Sequence, residues 1–207
     1  MKSVASDLFY LPNLEFFVSI LDADQILLNP NAPYQRKSYF NRTQILLSNK
    51  VETLSVPITG RRPRVPLKYI QIDYQQKWLQ NHLRGLQSAY GKAPFFEFFF
   101  PEIEAIYKQE FPSLWEFNLK LLTICLKFLQ LPVKLEVVED WEGKKPEKDF
   151  RGIISPSEPF EDRGIYEPFA YTQLFGLDFE PNLSILDLLF CEGPTAKRVL
   201  MKSLKKQ

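Results

Sequence analysis

Asn13 followed by Leu14, Phe17, Val18 and Leu21 sets four large apolar side chains at i, i+3, i+4 and i+7, the stripe of an amphipathic helix with an asparagine at its N-cap. The apolar stretch Ser6–Leu11 before it ends at Pro12 and predicts a strand, and Gln25–Leu28 predicts a second, so the chain opens in a β-α-β pattern. Two β-branched and leucine-rich runs, Thr43–Leu47 and Thr53–Ile58, flank Ser48-Asn49-Lys50 and predict a hairpin. A further strand is expected at Leu67–Ile72.

Helical spacing returns at Leu79, Leu83, Leu86 and Tyr90, predicting a helix between Gln76 and Tyr90, and another helix is expected after Pro101. Ser113 and Glu116 form an S-x-x-E capping box ahead of Leu114–Leu129, which is apolar nearly all round and predicts the most buried helix. Val133–Val138 predicts a strand. Asp140–Asp162, rich in charge, proline and glycine, predicts a long mobile connection. Ser184 is placed to cap Ile185–Phe190, Gly193 to end that helix, and Thr195 to cap a last, lysine-rich one. The pattern predicts one α/β or α+β domain over residues 1–207, a mixed sheet from the N-terminal strands and hairpin packed by helices from the middle and C-terminus.

Composition narrows the function. The 207 residues carry 26 Lys plus Arg against 25 Asp plus Glu, a net charge of +1, so no global field draws in nucleic acid or an anionic membrane, and recognition must be local. Cys125 and Cys191 match no metal spacing or redox pair and are expected as buried thiols in a reducing, cytoplasmic compartment. No basic region followed by an apolar one opens the chain, and no apolar run approaches the roughly 18 residues of a membrane span. The run from Phe95 to Phe100 suits either an aromatic core or a partner-facing patch, with the core expected.

Candidate chemistry gathers in Tyr34–Arg42, reading YQRKSYFNR, where three cations stand among amides and hydroxyls with no acid. Arg36 and Arg42 present planar forks suited to carboxylate or phosphate, Lys37 is a point charge, and Tyr34 and Asn41 add directed hydrogen bonds. A polar, anionic small-molecule ligand is expected there. The arginine-rich loop Gly60–Pro66 joins it if the hairpin returns the chain to the same end of the sheet. The segment interleaves aromatics with cations as single-strand binders do, yet it is short and the balanced charge supplies no track, so nucleic acid is not expected. His82, the only histidine, reads either as a boundary residue bonded to a neighbour or as a general base. The chain has no G-x-S-x-G elbow, Walker A loop or G-x-G-x-x-G. Asp22 and Asp24 flank a helix end, where aspartates serve turns as often as magnesium, and no metal site or cofactor is assigned.

The order Tyr10-Leu11-Pro12, Tyr34 through Lys37 to Ser38-Tyr39-Phe40-Asn41-Arg42, Val56-Pro57, Trp78 with His82, Ser88-Ala89-Tyr90, Pro94-Phe95-Phe96 and Asn182 through Phe190 to Gly193-Pro194 resembles the WbqC-like family. The resemblance implies a bacterial, cytoplasmic transferase of O-antigen or other surface-polysaccharide biosynthesis, adding glycine or another acyl group to an amino sugar nucleotide. The alternative is a non-catalytic ligand-binding or assembly protein, with a protein partner or a second copy of itself. On the transferase reading His82 is the base, and Tyr10, Tyr34, Arg36, Lys37, Asn41, Arg42 and Tyr90 bind substrate. The family usually carries a further arginine where this chain has Phe40, and acidic residues where it has Asn29 and Ala32.

Overall fold

A computed structural model describes residues 1–60, 64–176 and 178–205. The chain opens with β1 (Ser3–Ser6), α1 (Leu14–Ser19) and β2 (Gln25–Leu28), and β1 pairs parallel to β2, so the opening is the β-α-β unit that the pattern predicts. It continues through β3 (Arg42–Leu47), β4 (Lys50–Ser55), α2 (Trp78–Tyr90), α3 (Phe96–Tyr107), α4 (Leu114–Phe128), β5 (Lys134–Val137), β6 (Lys148–Asp149), α5 (Ile185–Glu192) and α6 (Ala196–Lys202). The fold is α/β. Its strands divide between a parallel sheet in the order β5-β2-β1-β6 and a separate antiparallel hairpin of β3 and β4.

Alternation along the parallel strands sorts their faces. Val4, Ile26 and Leu28 enter a hydrophobic cluster that runs on through the helices to Leu200, whereas Ala5 and Leu27 point the other way with Val138 and are covered by Trp141. Trp141 lies on the ten residues from Val138 to Glu147 that link one edge strand to the other. Three strand spacings of ~4.8 Å are easily spanned by ten residues of reach ~33 Å, which leaves slack for the tryptophan to lie over the sheet. The Asp140–Asp162 stretch therefore contributes β6 and the cover of a sheet face as well as a connection.

Capping follows the sequence closely. Asn13 Oδ1 accepts from Phe16 N–H at 3.1 Å and Ser113 Oγ from Glu116 N–H at 3.2 Å. Ser184 Oγ accepts from Leu186 N–H, and Gly193 (φ 51°) ends α5. Thr195 stands at the α6 N-cap without a side-chain cap bond, its hydroxyl donating back to the Glu192 carbonyl.

Three expectations are corrected. The first strand was expected at Ser6–Leu11 and is Ser3–Ser6; the apolar run Leu8–Leu11 is a fully buried loop, turned by Leu11 at φ 42°. Its polar backbone is satisfied from afar: Tyr10 N–H donates to the Tyr39 carbonyl, Asn118 Nδ2 reaches the Leu8 carbonyl, and Thr43 and Ser184 hydroxyls donate to that of Leu11. Leu67–Tyr69 forms a 3-10 turn where a strand was expected, because Pro66 starts it and Leu67 N–H and Lys68 N–H donate to the Ala32 and Pro30 carbonyls; only Ile72 makes a bridge, to Ile58. Helix α3 starts at Phe96 and runs through Pro101, since burial of Phe96, Phe100 and Ile103 along one face, worth ~1.5–3 kcal/mol per side chain, outweighs the lost backbone bond.

Candidate functional site

The segment from Ala32 to Arg42 crosses from the end of β2 to the start of β3, and its turn is made locally: Ser38 Oγ donates to the Gln35 carbonyl at 2.7 Å and accepts from Phe40 N–H. Lys37 sits at φ 58°, a left-handed conformation that a lysine adopts at a cost of ~1–3 kcal/mol. Tyr34 N–H donates to the Val65 carbonyl and Arg64 N–H to the Tyr34 carbonyl, so the loop after the hairpin does return to the basic segment. Arg61 and Arg62 lie outside the described residues.

Residues alternate across this segment. Tyr34, Arg36, Lys37, Asn41 and Arg42 line one cleft of about 270 Å³, closed by Pro57, Ile58 and Gly60. Lys37 and Arg42 also line a smaller adjoining recess with Thr43, Thr53 and Pro156. None of Arg36, Lys37 and Arg42 is ion-paired among the described residues, and the buried Nε of Arg42 has no hydrogen-bond partner there. Burial raises the Tyr34 phenol above its ordinary pKa, opposed by the nearby Arg42 and Arg36 charges. Unpaired guanidinium and ammonium donors around a half-open polar cavity are the chemistry of an anion site.

Asn41, which lines the cleft, is also held by its neighbours. Its Oδ1 accepts from Tyr34 Oη at 3.1 Å and its Nδ2 donates to the Val56 carbonyl at 2.8 Å, so both ends of the amide are engaged and it orients Tyr34.

His82, Tyr10 and Tyr90 do not line this cleft. His82 is 5% exposed, its Nδ1 lies 2.8 Å from Tyr10 Oη, and Tyr10 in turn bonds Tyr107. Trp78 and Phe117 pack around the trio. Burial lowers the His82 pKa to about 4 against a hydrogen bond to the Ser55 backbone, so the ring is neutral at pH 7 within the aromatic core. The boundary reading of this histidine, bonded to a neighbour, fits that geometry. Tyr90 is likewise buried, its hydroxyl accepting from Leu46 N–H. The other sequence candidates are accounted for: Asp24 accepts from Lys2 N–H, both cysteines are buried thiols raised to about 12 by burial, and no group of three or more His, Cys, Asp or Glu able to hold a metal occurs among the described residues.

A second cleft, of about 350 Å³, lies on the opposite side of the segment and receives Ala32, Pro33, Gln35 and Phe40. Asp7, Asn29, Asp149, Arg151 and Gly152 complete it, from the carboxyl ends of β1, β2 and β6. Sequence reasoning missed its acidic members because β6 is two residues long and its place beside β1 has no local signal, and because Asp7 fell inside the strand expected at Ser6–Leu11.

The profile of the WbqC-like protein family matches residues 9–155, and this span holds the whole basic cleft. The chain belongs to the WbqC-like protein family. The WbqC-like chain is also similar to the Uncharacterized protein Rv1507c of Mycobacterium tuberculosis (strain ATCC 25618 / H37Rv), at 25% identity over 214 residues that cover 90% of this chain and 92% of that one. No solved structure matches it. Asn29, Ala32 and Phe40 all line the strand-end cleft, and the basic cleft holds Arg36, Lys37 and Arg42. No helix among the described residues is long and apolar enough to cross a membrane.

Proposed function

We propose that this protein is a cytoplasmic transferase of O-antigen or other surface-polysaccharide biosynthesis that grips the phosphates of a sugar nucleotide in the basic cleft and adds glycine or another acyl group to its amino sugar. The observation that carries the anion site is the convergence of Arg36, Lys37 and Arg42 on one cavity without ion-pair partners among the described residues, with the buried Arg42 Nε left as a free donor. The transfer step is supported by the family likeness alone. The burial of His82 favours a second reading, a ligand-binding protein without catalysis, in which the cleft keeps the same ligand.

A thermal-shift screen with sugar nucleotides, nucleotides and acyl carriers tests the anion site. A ligand at one hundred times its Kd stabilises the fold by ~2.7 kcal/mol, and that shift is expected to vanish in Arg42→Ala. A flat screen, or a shift that survives Arg42→Ala, refutes the site. Mass spectrometry of the bound sugar nucleotide with an acyl donor then separates the two readings: an added acyl mass means transferase, recovery of the unchanged ligand means binding protein.

A further inference from the structure

Parallel register brings three polar residues to one edge of the sheet. Ser6 pairs with Leu28 and Ala5 with Asp149, so Asp7, Asn29 and Asp149 stand together where β1, β2 and β6 end. Beyond the carboxyl ends of an open parallel sheet is where α/β proteins lodge ligands, and the second cleft opens there.

The charges in this cleft are unequal. Arg151 is held by Asp149 in a fork, Nε to Oδ1 at 2.9 Å and NH2 to Oδ2 at 2.5 Å, and it stacks on Trp141 at 3.7 Å from the ring centre. With Arg151 committed to Asp149, the lining residues carry one net negative charge, that of Asp7. Asp7 is 8% exposed, and its Oδ2 accepts from Gly152 N–H at 2.7 Å. Among the described residues its Oδ1 has no hydrogen bond, and neither oxygen is in a salt bridge. Burial pushes its carboxyl above the ordinary pKa, against the Gly152 bond and the nearby Arg151 charge. A carboxylate nine-tenths buried with one N–H partner is costly to keep charged, and a cationic donor entering the cleft removes that cost.

We propose that the strand-end cleft is a binding site for a primary amine. The ammonium group gives one N–H to Asp7 Oδ1 and the others to the side-chain oxygens of Asn29 and Gln35, three acceptors for three donors. Asn29 Oδ1 already accepts from Asn31 N–H at 2.9 Å, which fixes its orientation and leaves a second lone pair. Phe40, 4% exposed, supplies an apolar wall for the carbon skeleton of the ligand. The site lies across the Ala32–Arg42 segment from the anion cleft and has the opposite charge preference, so it stands whether or not that cleft binds a sugar nucleotide.

The test is amide NMR on the 15N-labelled full chain, with glucosamine as the probe and glucose, in which a hydroxyl replaces the amine, as the control. Glucosamine is expected to shift the Asp7, Asn29 and Gly152 amides and glucose to leave them in place. Asp7→Asn keeps an acceptor for Gly152 and is expected to weaken glucosamine at least tenfold; Gln35→Ala, at an exposed side chain, is expected to weaken it severalfold in a fold that is not at risk. No shift at those amides, equal binding of glucose, or full affinity in either variant overturns the proposal. Inorganic pyrophosphate added to the same sample reports on the other cleft: its failure to bind wild type would sink the anion reading and leave the amine site standing, and Arg42→Ala is expected to lose pyrophosphate while keeping glucosamine.

Discussion

Mild acid should weaken this fold through His82, because the ring is held neutral in the core with a pKa lowered to about 4 from the ordinary 6.5. A group that protonates more readily when unfolded gives stability that is complete above pH 6.5 and is lost as pH falls from there to about 4. At pH 5 the unfolded imidazole is almost fully charged and the folded one is not, which works out at about 2 kcal/mol of lost stability. Asp7 and Asp187 have carboxyl pKa values raised by burial, and they act in the opposite sense, gaining stability as the pH falls. The histidine contribution is therefore read as a difference between two proteins. Urea unfolding followed by tryptophan fluorescence, with Trp78 at 5.1 Å between ring centres from His82, is measured at pH 7 and pH 5 for wild type and His82→Gln. Wild type is expected to lose about 2 kcal/mol more than the variant between the two conditions. Equal losses would mean that His82 titrates as an exposed residue and would refute its assignment to the core.

Two further outcomes follow from buried contacts. Arg163 forms a fork with Glu15, at 2.7 and 2.6 Å with side-chain exposures of 5% and 0%, so Arg163→Met should cost ~3–5 kcal/mol by chemical denaturation, and Glu15→Met added to it should recover much of the loss. Gly193 at φ 51° faces the Phe95 ring where a Cβ would sit, so Gly193→Ala should destabilise by ~2 kcal/mol or more, seen as a lowered Tm.

Local signals in the sequence were read well where they were strong. Asn13, Ser113 and Ser184 cap the helices they were expected to cap, since a cap is a contact between residues two or three apart. The grouping of the basic cleft was legible for the same reason: Tyr34, Arg36, Lys37 and Arg42 are neighbours in sequence and remain neighbours in space. What failed was distance. Leu8–Leu11 looks like a strand by hydrophobicity, but its hydrogen bonds are supplied by residues 39, 43, 118 and 184. The bond from Asn41 Nδ2 to the Val56 carbonyl, fifteen residues away, also has no local signal. Asp7 and Asp149 meet only once β6 has crossed the sheet.

The buried loop between β1 and α1 also sets the order in which the molecule can assemble. The Leu11 carbonyl waits for the Ser184 hydroxyl, Leu14 N–H for the Leu183 carbonyl, and the Pro12 carbonyl for Ile185 N–H. Closure of the earliest turn thus depends on the latest quarter of the chain, a long-range pairing whose entropy must be spent before it stabilises anything. On the ribosome, at ~5–20 residues per second, Leu8–Leu11 stays incompletely bonded for the ~10–35 s needed to reach residue 184, and during that time this apolar loop is a part that a chaperone would meet.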